Sequence, residues 1–261
     1  MNQRTVFPKV AFDMFVMQMV WSLWFLGILL AIHVVMIVIS VNTGDSLGDF
    51  LFYSHGSAKI YMLVIGIIST YGFLTHYAHH GVTRKDYFKG SAIAAAGVAL
   101  AIGVIATSLT GLEYVVMEMT DIQGTLDRSL SAVEIGNNSI SIELPKAMLE
   151  SSILVHSNNW IASLFLYVLN ILTCYVAGWL IGSGFYRFGW IIGLGFILLS
   201  LIFIVTGDLL WGTELGEPLS DWLPFDSISL PFYGSFLGNL FIIAIMLLLI
   251  RLATQNATIK M

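Results

Sequence analysis

No aspartate, glutamate, lysine or arginine falls inside any of the six long apolar runs of this sequence: Met19–Val41, Ile60–Tyr77, Ala92–Thr110, Ile161–Ile181, Trp190–Thr206 and Phe236–Ile250. Ion-driven transporters and proton pumps place ionisable groups within their spans, so these runs predict a protein that takes its energy from elsewhere. Cysteine is nearly absent too. Cys174 alone excludes an intrachain disulfide, and within an apolar run it reads as a small packing residue. Only 10% of the 261 residues are charged, against about 25% in soluble domains. The sequence has no Gly-x-x-x-x-Gly-Lys-Ser/Thr loop for nucleotide phosphates and no His-Glu-x-x-His zinc motif. It also offers no Ser/His or paired-Asp constellation within the runs, which argues against an intramembrane protease. Internal repeats and low-complexity tracts are missing. No short signal-peptide core precedes a small-residue cleavage site, so the first run is expected to be an uncleaved helix.

Each run is near the length of about 20 apolar residues needed to cross a bilayer. The expected fold is all-α and polytopic: six transmembrane helices forming one membrane domain over residues 1–261, with no room for an ordinary soluble domain. Charge sorts across this layout. If both termini lie in the cytoplasm, the inner segments hold Arg4, Lys9, Arg84, Lys85, Lys89, Arg187, Arg251 and Lys260 with only Asp13 and Asp86. The outer segments hold fourteen acids and just Lys59, Arg128 and Lys146. Basic residues collect on the cytoplasmic side, which sets this orientation and rejects the reverse. Trp21 and Trp190 near inner ends, and Trp160 and Trp211 near outer ends, suit the headgroup level. Trp24 and Trp179 lie about a turn deeper, where they can pack. The acidic outer face could attract cationic cargo or simply keep its loops solvated.

Four segments between or before the spans have their own character. Residues 1–18 read as an N-terminal interfacial helix over Phe7–Gln18, opened by Pro8, with Lys9 and Asp13 on one face and Val10, Met14 and Met17 on another. The other reading is a cytoplasmic extension of the first span. The external segment 111–160 alternates at Val133-Glu134-Ile135 and Ile140-Ser141-Ile142 around Gly136-Asn137-Asn138, the pattern of a small β-hairpin; Lys146–His156 could restart a helix after Pro145. Segment 207–235, with Pro218, Pro224 and Pro231, interrupts any continuous helix and reads as an external re-entrant elbow.

The fourth segment, the coupling loop 78–90, holds Gly81-Val82-Thr83-Arg84-Lys85-Asp86-Tyr87-Phe88-Lys89-Gly90. Thr83 and Asp86 fit a capping box that starts a helix, and Gly90 could end it. The result would be a short cytoplasmic helix with three cations and two rings. Such a surface suits docking into a protein groove; it also suits a topology-setting loop whose rings lie against the bilayer.

This stretch resembles the loop after the second span in ABC-2 type transporter permeases, where Ser/Thr-Arg-Lys/Arg-Glu/Asp-Tyr/Phe-Phe forms a coupling helix. Six spans, an interfacial helix and an elbow before the last span are similar to that family as well. The long segment 111–160 departs from it. The resemblance implies the transmembrane subunit of an ATP-driven exporter, not itself an enzyme, with Thr83, Arg84, Lys85, Asp86, Tyr87 and Phe88 contacting the ATPase. It implies ABC ATPase (nucleotide-binding) subunits on separate chains, carrying ATP and Mg, and a second permease chain in a homo- or heterodimer. No cofactor is expected in this chain and no nucleic acid partner; lipids surround it. The location implied is a bacterial cell membrane, multi-pass, with N- and C-termini cytoplasmic. Cargo would be amphipathic: a peptide, drug or lipid-like molecule. A non-transporting membrane anchor or immunity-type protein that binds a partner would expose the same basic loop.

Histidines and small polar residues complete the candidates. His76 and His80 share a helix face beside His79, a spacing that can hold a transition metal but equally an interfacial cluster. His33, His55, His76 and His156 form no pair at matched depth, which disfavours a bis-histidine haem. Asn170, Thr173 and Asn239 either line a path or bond between helices. Gly178-x-x-x-Gly182 and Gly189-x-x-x-Gly193 permit close helix contact, expected within one subunit.

Overall fold

The computed structural model describes residues 6–43, 48–120, 160–211 and 231–255. Every regular element among them is helical: α1 (Phe7–Thr43), α2 (Phe50–Ile68) continuing through a π-helical turn (Ser69–Leu74) into α3 (Thr75–His79), α4 (Arg84–Met119), α5 (Trp160–Phe188), α6 (Trp190–Leu210) and α7 (Phe232–Gln255). Six helical stretches, with α2, its π turn and α3 taken as one, are long and apolar enough to cross a membrane. Each contains one of the six expected runs. The proposed hairpin around Gly136-Asn137-Asn138, the helix at Lys146–His156 and most of the elbow lie outside the described residues. At the elbow's margins, α6 continues to Leu210 and α7 begins directly after Pro231.

Two expected elements are absorbed into longer ones. The interfacial helix is the first part of α1, whose 37 residues span about 55 Å. No residue after Pro8 breaks it. A buried stripe of Val10, Met14, Gln18, Ser22, Leu26, Leu29 and His33 runs through the supposed junction. The short coupling helix is likewise the opening of α4. Gly90 does not end it but lets α1 come close: a Cβ there would stand 2.8 Å from Val10 Cγ1. Where the chain does turn, glycine supplies the left-handed backbone, at Gly81 (φ 76°) between α3 and α4 and at Gly189 (φ 83°) between α5 and α6.

Helix α5 is the hub, packed on α2, α4, α6 and α7, while α1 rests mainly on α4. Helices α2 and α5 run parallel and touch through backbone. A Cβ on Gly178 would strike the Leu63 carbonyl, and one on Gly66 the Tyr175 carbonyl. Close approach through small residues is how helices gain packing contact in lipid, where burying apolar surface gives no advantage. The Gly178/Gly182 pair therefore works within the subunit, as expected.

Candidate functional site: a basic turn tied to a buried polar column

The turn before α4 forms at one end of the bundle, together with the start of α1 and the ends of α5 and α7. Thr83 caps α4: its Oγ1 accepts from the Asp86 amide at 3.1 Å and donates to Asp86 Oδ2 at 3.0 Å. The Thr83 half of the expected capping box holds; Asp86 accepts from the Thr83 hydroxyl and not from its amide. Arg84 Nη1 donates to the Gln255 carbonyl at 2.9 Å, and Arg187 Nη1 to the Ala253 carbonyl at 3.1 Å. Two arginines thus satisfy carbonyls in the last turn of α7, where a helix dipole favours cations. Arg251 lies over the Phe88 ring, 5.5 Å from its centroid, and Lys89 over Phe7 at 5.7 Å.

The two rings do not project from this turn. Tyr87 is 2% exposed; its hydroxyl donates to the Ser69 carbonyl inside the π turn. Phe88 is half-buried, its ring 5.4 Å from that of Trp179. The expectation of an exposed aromatic foot is corrected: α4 begins at Arg84, and its 3.6-residue period turns Tyr87 toward the core while Thr83, Lys85 and Lys89 stay exposed. Any surface contact here is cationic and polar. Tyr87 and Phe88 join the turn to α5 and the π turn instead. Such π turns recur at functional positions in helices.

Above Tyr87 lies a column of buried polar groups. Gln18 Nε2 donates to Tyr175 Oη at 3.0 Å, and Thr70 and Ser183 hydroxyls meet at 3.4 Å. Farther from the basic turn, Lys59 Nζ pairs with Asp208 Oδ1 at 3.0 Å, with side chains 5% and 12% exposed. In the same layer Thr173 Oγ1 donates to Asn239 Oδ1 at 2.8 Å. Near the acidic end His33 Nε2 and Glu113 Oε1 are 2.8 Å apart, and Glu113 Oε2 accepts from the Phe50 amide at 2.9 Å. Asp49 caps α2 by accepting from the Phe52 amide at 2.9 Å.

This column overturns the premise that the buried part of the bundle is free of ionisable groups. Lys59, Glu113 and Asp208 sit just beyond the apolar runs, but the helices extend past those runs and turn all three inward. One sequence signal could have found Lys59: it is among the few bases on the acidic side. Thr173 and Asn239 do come together beside Gly207 and Asp208, while Asn170 is buried one turn earlier on α5. The histidines at the basic end stay a local cluster. His80 Nδ1 is 2.8 Å from the His76 carbonyl, and no set of three or more His, Cys, Asp or Glu converges among the described residues. Trp179 packs in the core, while Trp24 is 73% exposed on the outer face of α1. No family model matches the chain, and no match is found among curated proteins or solved structures.

Proposed function

We propose that this chain is the transmembrane subunit of an ATP-driven exporter of the ABC-2 type, moving an amphipathic cargo with force supplied by ATPase subunits on separate chains. One observation carries the reading: the Thr83-Arg84-Lys85-Asp86-Tyr87-Phe88 stretch is a capped, cation-bearing turn mechanically joined to the bundle. Motion applied at exposed Lys85 and Lys89 would pass through Tyr87 to the π turn, through Phe88 to Trp179, and through Arg84 to α7. The turn faces the cytoplasm, with both termini, because it holds the basic end of the bundle. ATP and Mg belong to the partner ATPase, and a second permease chain, identical or related, completes the pathway in the cell membrane. This chain performs no covalent chemistry.

The test is co-purification of an ABC ATPase from native membranes with the tagged chain, followed by ATPase assay in liposomes. Lys85→Glu/Lys89→Glu should reverse the surface charge, leave the fold intact and lower both recovery and stimulated hydrolysis about tenfold or more, as loss of interfacial charge complementarity costs several kcal/mol. Recovery of the wild-type chain with no ATPase, or an ATPase it binds but never stimulates, would replace this reading with a membrane anchor.

A further inference from the structure

The layer around Lys59 and Asp208 lies level with the middle of α5 and is built by α2, α5, α6 and α7. Lys59 belongs to α2 and Asp208 to α6. Both helices are seated on α5, and neither packs extensively on the other, so the 3.0 Å ion pair is a tie between elements that otherwise stand apart. Asn239, bonded to Thr173 in this layer, and Asn170, one turn before Cys174 on α5, are 0% and 3% exposed, and their Nδ2 groups find no hydrogen-bond partner among the described residues. Gly207, next to Asp208, lies against Asn239 and Thr173: a Cβ there would stand 3.5 Å from Asn239 Nδ2. Cys174 lies within electrostatic reach of both Lys59 and Asp208.

A buried ion pair is a poor device for stability, since apolar replacements of similar volume often serve as well or better. Ionisable groups at membrane depth mark pathways instead. Helix α6 packs on α5 and α7 among the described residues and turns most of its apolar surface outward.

We propose that this layer is the part of the cargo pathway that this chain contributes, taking the polar part of the cargo, and that the Lys59–Asp208 pair closes it by holding α6 to α2. Parting the pair would open a seam on which the Asn170 and Asn239 amides donate to acceptor oxygens of an amphipathic molecule. The cargo role rests on the transport reading above; the closure does not.

Cys174, the sole cysteine of the chain, is a native reporter of that closure. The full chain in lipid nanodiscs is treated with a cationic, membrane-impermeant methanethiosulfonate, and the labelled fraction is followed by intact mass. Wild type should label slowly. Lys59→Met and Asp208→Asn should each label about tenfold faster or more, a population shift well within what a broken buried pair can drive. The exchanged pair Lys59→Asp/Asp208→Lys should return to slow labelling. If a single variant fails to fold, the neutral double Lys59→Gln/Asp208→Asn removes both charges of the tie and should still label fast. Slow labelling of the neutral double, or an exchanged pair as fast as the single variants, would overturn the closure. Fast labelling in a chain that recovers no ATPase would keep the closure and remove the transport reading.

Discussion

Helices α1 and α5 are both apolar enough to span a bilayer, yet 22% of the apolar window is buried in α1 and 72% in α5. The difference lies in small and polar residues rather than in hydrophobicity. Helix α5 presents Gly178 and Gly182 to α2, and Thr173, Tyr175 and Ser183 to polar partners on its neighbours or to its own turns. Helix α1 carries one such stripe, with Gln18 bonded to α5, Ser22 to α2 and His33 to α4. The rest of its surface is Val, Ile, Leu and Trp facing outward. In lipid an outward Leu is as well solvated as a buried one, so hydropathy marks a span without saying which side packs.

The sharpest way to break that contrast is one substitution made in both helices. Gly178→Leu forces a side chain into the Leu63 backbone and should cost about 3 kcal/mol or more, read as loss of monodisperse protein in detergent. Gly27→Leu, where an added Cβ meets nothing within 4 Å, should stay within about 0.5 kcal/mol. A tryptophan pair probes the same difference at nearly the same scale. Trp179→Ala removes a fully buried ring and should lower stability by about 3 kcal/mol. Trp24→Ala should move the thermal midpoint little, since that ring is 73% exposed.

Smaller effects separate the packed face of the basic turn from its outer face. Tyr87→Phe loses the hydroxyl that reaches Ser69 and should cost about 1 kcal/mol by thermal unfolding, while Lys85→Glu should leave stability unchanged and lower only ATPase stimulation. Thr83→Ala, which removes the α4 cap, should cost about 0.5–1 kcal/mol. A Tyr87→Phe chain as stable as wild type, with ATPase recovery lost, would give that hydroxyl a docking role.

All six spans and the Thr83–Asp86 cap were legible because both are local. A span is a length of apolar chain, and a cap is a hydroxyl three residues from the amide it serves. Helix ends were less so. Nothing local distinguishes Gly90 as a terminator from Gly90 as a contact, and its role comes from Val10, eighty residues earlier. Tyr87 was assigned outward by its neighbours' charge, but its direction is set by the phase of a helix that starts at Arg84 and by the space beside Ser69. Lys59, Glu113 and Asp208 were placed outside the core because hydropathy locates apolar stretches, while these helices continue beyond them.

Composition and charge order alone determined a six-span membrane protein with its basic residues gathered at one end, since the transfer of side chains into hydrocarbon depends on residue type and not on neighbours. Which helix became the hub, where the rings of the basic turn point, and that Lys59 meets Asp208 across 149 positions were decided only by tertiary packing. Those outcomes depend on how closely two backbones can approach and on which polar groups must find each other once water is gone.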